Sequence, residues 1–138
     1  MEESEDYPKP RKKFNYIGAP ACFALDMAVH HVYKAFGGSC YVVGSALERP
    51  NWRDVDVRMI MDDAEFEKEF PGVGRHWEFD SKWLLLTTTI SNWLSKESGL
   101  PVDFQFQPQT LANEQHKGRR DPIGFRLYKD NGNNNENE

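Results

Sequence analysis

Val42 to Met61 reads VVGSALERPNWRDVDVRMIM. Its second half, DVDVRMIM, alternates like a strand, because successive strand side chains point to opposite faces. Val55, Val57 and Met59 then share one face, and Asp54, Asp56 and Arg58 share the other. Aspartate is among the poorest strand formers. Two like charges side by side also push each other's pKa upward unless something compensates them. Just upstream, CYVVG (Cys40 to Gly44) is a short continuous apolar run that predicts a buried strand. Between the two lies SALERPNW, a turn or single helical turn closed by Pro50.

Upstream of this pair, Cys22, Leu25, Val29, Val32 and Phe36 recur at helical spacing, after a first-turn Pro20 and before a Gly37-Gly38 stop. Downstream, DDAEFEKEFPG predicts a short helix capped by Asp62 or Asp63, with Phe66 and Phe70 one turn apart. GVGRHWEFD predicts a loop. A longer helix follows from Asp80 or Ser81 to about Glu97, buried along Trp83, Leu86, Ile90 and Leu94 and closed at Gly99-Leu100-Pro101. VDFQFQP is a third strand, with Val102, Phe104 and Phe106 alternating against Asp103, Gln105 and Gln107. HKGRRDPIGFRLY carries turn signals and no clear period. The order predicts an α+β fold: a small mixed β-sheet of about three or more strands with helices on one face. The opposite face is expected to be open and to carry Asp54, Asp56 and Asp103.

The chain has 138 residues, with 17 lysines and arginines against 22 aspartates and glutamates. That length suits one domain with a real core. The acidic balance argues against broad, sequence-blind coating of nucleic acid. Residues 1–16 predict a flexible arm, 17–128 the folded domain and 129–138 a disordered polar tail. No apolar run reaches membrane-spanning length and no signal peptide is evident, so the expected setting is the cytoplasm. Cys22 and Cys40 are then expected to be free, buried thiols.

Two aspartates at i and i+2 on a strand stand about 6.5–7 Å apart at the backbone and face the same way. Their oxygens suit a hard cation such as Mg²⁺. A third carboxylate, Asp103, can complete such a site and take a proton from an attacking hydroxyl. Gly44 at a strand end permits close backbone approach, and free N–H groups with the Ser45 hydroxyl can hold phosphate oxygens.

GS, DVD and the later VDFQF, in this order, resemble the DNA polymerase β-type nucleotidyltransferase superfamily. The likeness runs in element order from about Phe23 to Gln107. The spacer between Ser45 and Asp54 is slightly shorter than usual for that superfamily. The resemblance implies a minimal stand-alone nucleotidyltransferase domain. Its metal ligands would be Asp54, Asp56 and Asp103, and Gly44 and Ser45 would hold a nucleoside triphosphate such as ATP. Two Mg²⁺ ions are implied, with Mn²⁺ as a substitute. The acceptor hydroxyl would belong to a nucleic acid, a protein or a small molecule. With no second domain in sight to hold that acceptor, a homodimer or a partner protein is expected to supply its site.

Plainer readings stand beside these. Asp54 and Asp56 also suit a solvated edge strand, and Asp103 a lone surface position. Ser45 suits a turn cap. Arg58 either pairs with a carboxylate or meets the triphosphate. Lys117 and Arg119, in HKGRR, either contact phosphate or form a solvated turn. Trp52 either anchors a loop or stacks on a base. His30 and His31 read as helix-surface residues, and His76 and His116 lack metal-ligand partners at any useful spacing. The expected function is Mg²⁺-dependent transfer of a nucleotidyl group. The alternatives are a non-catalytic module that binds nucleotide or a partner protein on the same fold, as in antitoxin-like members, and, more weakly, a metal-dependent phosphate hydrolase. On the phosphate-loop reading, Gly44→Val should weaken triphosphate binding and spare the bare metal site.

Overall fold

The structure is a computed structural model and describes residues 16–73 and 76–124. Tyr16 apart, the arm expected over 1–16 lies outside those residues, as do the tail expected over 129–138 and the last residues of the expected domain. The elements run α1 (Ala21–Phe36), β1 (Ser39–Val43), β2 (Val55–Met61), α2 (Asp63–Glu69), α3 (Ser81–Ser98), β3 (Val102–Pro108), α4 (Gln109–Gln115) and β4 (Asp121–Ile123). The architecture is α+β, with a four-stranded sheet in the order β3-β2-β1-β4. β1 pairs antiparallel with β2 and β4, while β2 and β3 are parallel, so the sheet is mixed.

The alternation in the sequence sets the two faces. Val55, Val57 and Met59 of β2, Val102, Phe104 and Phe106 of β3, and Cys40 and Val42 of β1 belong to the main core. Leu25, Val29 and Val32 of α1, with Trp83 and Leu94 of α3, join them there. Burial of such side chains stabilises by roughly 1.5–3 kcal/mol each. Cys40 lies inside this core as a free thiol, and burial pushes its pKa up to about 12, which makes it unreactive.

β3 is an edge strand, and an exposed edge invites pairing with other chains. Here α3 closes it with side chains. Ser91 Oγ accepts from Phe104 N at 2.9 Å and donates to Phe104 O at 3.2 Å. Ser95 Oγ accepts from Val102 N at 2.9 Å, and Trp83 Nε1 donates to Phe106 O at 3.0 Å. The spacing works because four helical residues rise about 6 Å and two strand residues about 6.6 Å. A serine every helical turn therefore meets every second residue of the strand.

Two elements lie where no periodicity is legible. β4 is three residues long and contains Pro122, which an edge strand tolerates. α4 is one of the shortest helices, and its N-terminus is capped from outside. Asp63 Oδ1 accepts from Thr110 N at 3.0 Å, and Asp63 Oδ2 accepts from the Thr110 hydroxyl. Asp63 therefore does not cap its own helix, whose N-cap position is Asp62 without a side-chain bond. The Thr110 bonds hold the Asp63 carboxyl below the usual carboxylate range.

The carboxylate face is less open than expected. Val43, Ile60 and Gln107 on that face are buried. Gln107 Nε2 donates to Gln115 Oε1 at 3.2 Å, and its Oε1 lies 3.0 Å from His116 Nε2. The end of α4 is thus fastened over the Gln107 end of the face, while Asp56 and Asp103 at the other end stay partly exposed. Among the described residues no helix is long and apolar enough to cross a membrane.

Candidate active site

One row of the sheet carries the site. Val43, Asp56 and Asp103 are direct neighbours across β1, β2 and β3. The parallel β2–β3 register brings the two aspartates side by side although they are distant in sequence. The side chain of Asp56 is 29 % exposed and that of Asp103 is 46 % exposed. Asp54 stands just before β2 and is exposed. Its charge still reaches Asp56. The Asp56 pKa is raised above 3.8, first by burial; Arg58 opposes this, and the charges of Asp103 and Asp54 add to it.

Gly44 follows β1 at the same end, with φ +81. A Cβ built there would stand 2.7 Å from Asp56 Oδ2. The missing side chain therefore makes room for the carboxylate itself. Ser45 follows in a short 3-10 turn over Gly44–Leu47. The Ser45 carbonyl accepts from Glu48 N and Arg49 N, which tightens the turn and accommodates the short spacer.

Arg58 is one row further in, beside Tyr41 and Gln105. Of the two readings open to it, the geometry realises the pairing. Nη2 lies 3.5 Å from Asp103 Oδ2 and 3.9 Å from Asp56 Oδ1. Nη1 donates to Asp103 O at 2.7 Å and to Val57 O at 3.1 Å. The side chain is buried and tied in this way to the two strands, which favours the pairing over the contact with a triphosphate.

The basic segment is largely spoken for. Arg119 grips Asp121 with two bonds of 2.9 Å. Arg120 donates to the carbonyls of His116 and Ala112 and so caps the end of α4. Burial, then the charges of Arg58 and Arg120, lower the pKa of His116. Lys117 is exposed. The register of β4 on β1, with Asp121 opposite Val42, carries residues 119–120 toward Val43 and Gly44. Trp52 donates its indole N–H to Tyr16 O at 3.0 Å and serves as a loop anchor. A separate pocket of about 360 Å³ opens at the other end of β1 and β2, lined by Phe36, Tyr41, Asp62 and Glu65 among others. None of the predicted site residues lines it.

The donor set is all hard oxygen, which fits a small divalent ion. Among the described residues, no three His, Cys, Asp or Glu side chains stand close enough together to form a ready metal-binding group. Asp54 and Asp56 are the residues that would hold an ion, with Asp103 beside them. No family model matches the chain, and neither a curated protein nor a solved structure is significantly similar to it.

The raised Asp56 pKa has a definite sign. A carboxyl whose folded-state pKa exceeds its unfolded value costs stability at neutral pH and regains it as pH falls through the raised value. Metal-free Asp56→Asn is therefore expected to melt slightly higher than the parent at pH 7. The gain should be below about 1 kcal/mol, because solvent screens a partly exposed group. It should shrink as pH approaches 3.8. Melting curves of both proteins in chelator, from neutral to acidic pH, check this.

Proposed function

We propose that this domain is a Mg²⁺-dependent nucleotidyltransferase of the polymerase β type. The observation that carries the proposal is the convergence of Gly44, Asp56 and Asp103 at one end of three adjacent strands, with the glycine backbone against the Asp56 carboxylate. Gly44 and Ser45 would receive the triphosphate, and Asp54 and Asp56 would hold the ion. When bound, Mg²⁺ supplies charge neutralisation for the phosphates. The acceptor hydroxyl oxygen forms a bond to the α-phosphorus, the bond from that phosphorus to pyrophosphate breaks, and the hydroxyl proton passes to the Asp103 carboxylate. Catalysis is then mainly positioning and electrostatics.

The test is release of pyrophosphate, with transfer of label from α-labelled triphosphates to a panel of nucleic-acid, protein and small-molecule hydroxyls. Transfer that requires Mg²⁺ or Mn²⁺ is the expected result. The hold of Arg58 on two of the three carboxylates favours a second reading, a module that binds nucleotide without turnover. Firm Mg²⁺-nucleotide binding without transfer to any acceptor, in the presence of proteins that co-purify with the native chain, would establish that reading instead.

A further inference from the structure

We propose that the guanidinium of Arg58 takes the place of a second divalent ion, so that the site binds one metal ion per chain. This rests on the nucleotidyltransferase reading and departs from the two ions that the resemblance implies.

The Arg58 side chain is only 9 % exposed, and its Nη2 lies between the carboxylates of Asp56 and Asp103. A divalent ion shared by those two carboxylates would stand close to a fixed positive charge. Cations at about 4 Å repel strongly where solvent is scarce. Arg58 is not free to retreat. Its Nη1 is bonded to two backbone carbonyls, those of Asp103 and Val57, and these belong to the paired strands themselves. Its Nε is buried without a partner. A guanidinium also keeps its charge at any pH relevant to a protein, so no titration clears the way.

The other side of Asp56 differs. Oδ2 faces the bare Gly44 backbone, and exposed Asp54 stands on the solvent side. The resident ion therefore belongs with Asp54 and Asp56. Asp103, held by Arg58 through its backbone oxygen and its carboxylate, is left as the proton acceptor. Arg58 is a positioning residue in this scheme, since it touches neither substrate nor ion.

The experiment counts Mn²⁺ bound per full chain by the loss of the free-ion EPR signal. A non-hydrolysable triphosphate analogue is present at saturation, and the analogue alone serves as the blank. One ion per chain is expected in the parent. In Arg58→Gln, which keeps a donor for Asp103 O and loses the charge, a second ion should bind at least about tenfold more tightly than any second binding seen in the parent. Arg58→Lys, which keeps a charge, should stay at one. Two ions in the parent overturn the proposal even if Arg58→Gln does not fold. So does a folded Arg58→Gln that remains at one. No bound Mn²⁺ in the parent overturns the nucleotidyltransferase reading itself, and the inference with it.

Discussion

Asp103→Asn is expected, on the proposed nucleotidyltransferase reading, to lower pyrophosphate release by about 10²–10⁴-fold, the usual contribution of a general base, while nucleotide still binds. The geometry explains why the fold should survive. Asn is close to isosteric with Asp, and the residue is half-exposed at the solvent end of its row. The shortest tie between Arg58 and Asp103 runs to the backbone oxygen, at 2.7 Å, which the substitution leaves in place. Only the longer contact at 3.5 Å loses its charge partner. Arg58 then faces Asp56 alone, so Asp56 keeps a cation beside it. Nucleotide affinity and turnover are measured on parent and variant together. Unchanged turnover removes Asp103 from the reaction. Equal losses in affinity and turnover would make it a binding residue.

The parts of the fold that are legible in the sequence share one property: their side chains repeat at the period of the element. α1 buries Leu25, Val29 and Val32 as its stripe requires, and VDFQFQP forms β3 with the alternation intact. Gly99 ends α3 in a left-handed conformation, and Asp80 caps its start by accepting from Trp83 N. α4 and β4 carry no such signal. Of the seven residues of α4, the buried ones are Leu111 and Ala112, and its N-terminus is satisfied by a side chain from α2. β4 exists because β1 offers it a partner, and Asp-Pro-Ile has no strand preference of its own. For the site, the shared face of Asp56 and Arg58 can be read from alternation alone, whereas Asp54, expected in the same strand, stands just before it. That Asp103 lies beside Asp56, with Arg58 one row behind, follows from the parallel register, which no local pattern encodes. The occupation of Arg119 by Asp121 and of Arg120 by the end of α4 is likewise invisible in the sequence, because it depends on where the chain turns after Gln115.

Gly44→Val is expected, on the same proposed reading, to weaken metal binding and triphosphate binding together, each by at least about tenfold, which corresponds to about 1.4 kcal/mol or more. The sequence alone suggests a narrower effect, with triphosphate binding weakened and the metal ligands spared. The geometry leaves no room for that separation. A Cβ at this position would stand 2.7 Å from Asp56 Oδ2, well inside contact distance, and the branched methyls of valine add to the crowding. Either the Asp56 carboxylate moves or the Gly44 backbone does. The backbone is already at φ +81, a region that costs a side-chain-bearing residue about 1–3 kcal/mol and a β-branched one more. Moving the carboxylate is restricted too, because Arg58 holds its Oδ1 side and Asp103 lies directly across the strand pair. Gly44→Ala, with one methyl, should give a smaller reduction in the same two quantities. The check is Mn²⁺ affinity and nucleotide affinity measured on each variant, with melting curves to confirm folding. Intact Mn²⁺ affinity alongside abolished nucleotide affinity would show that Asp56 is not a ligand of the ion. Because Gly44, in the turn that follows β1, packs against the Asp56 carboxylate of β2, the loop proposed to receive phosphate and the residue proposed to hold the ion are one packing unit, and a change on either side is felt by both.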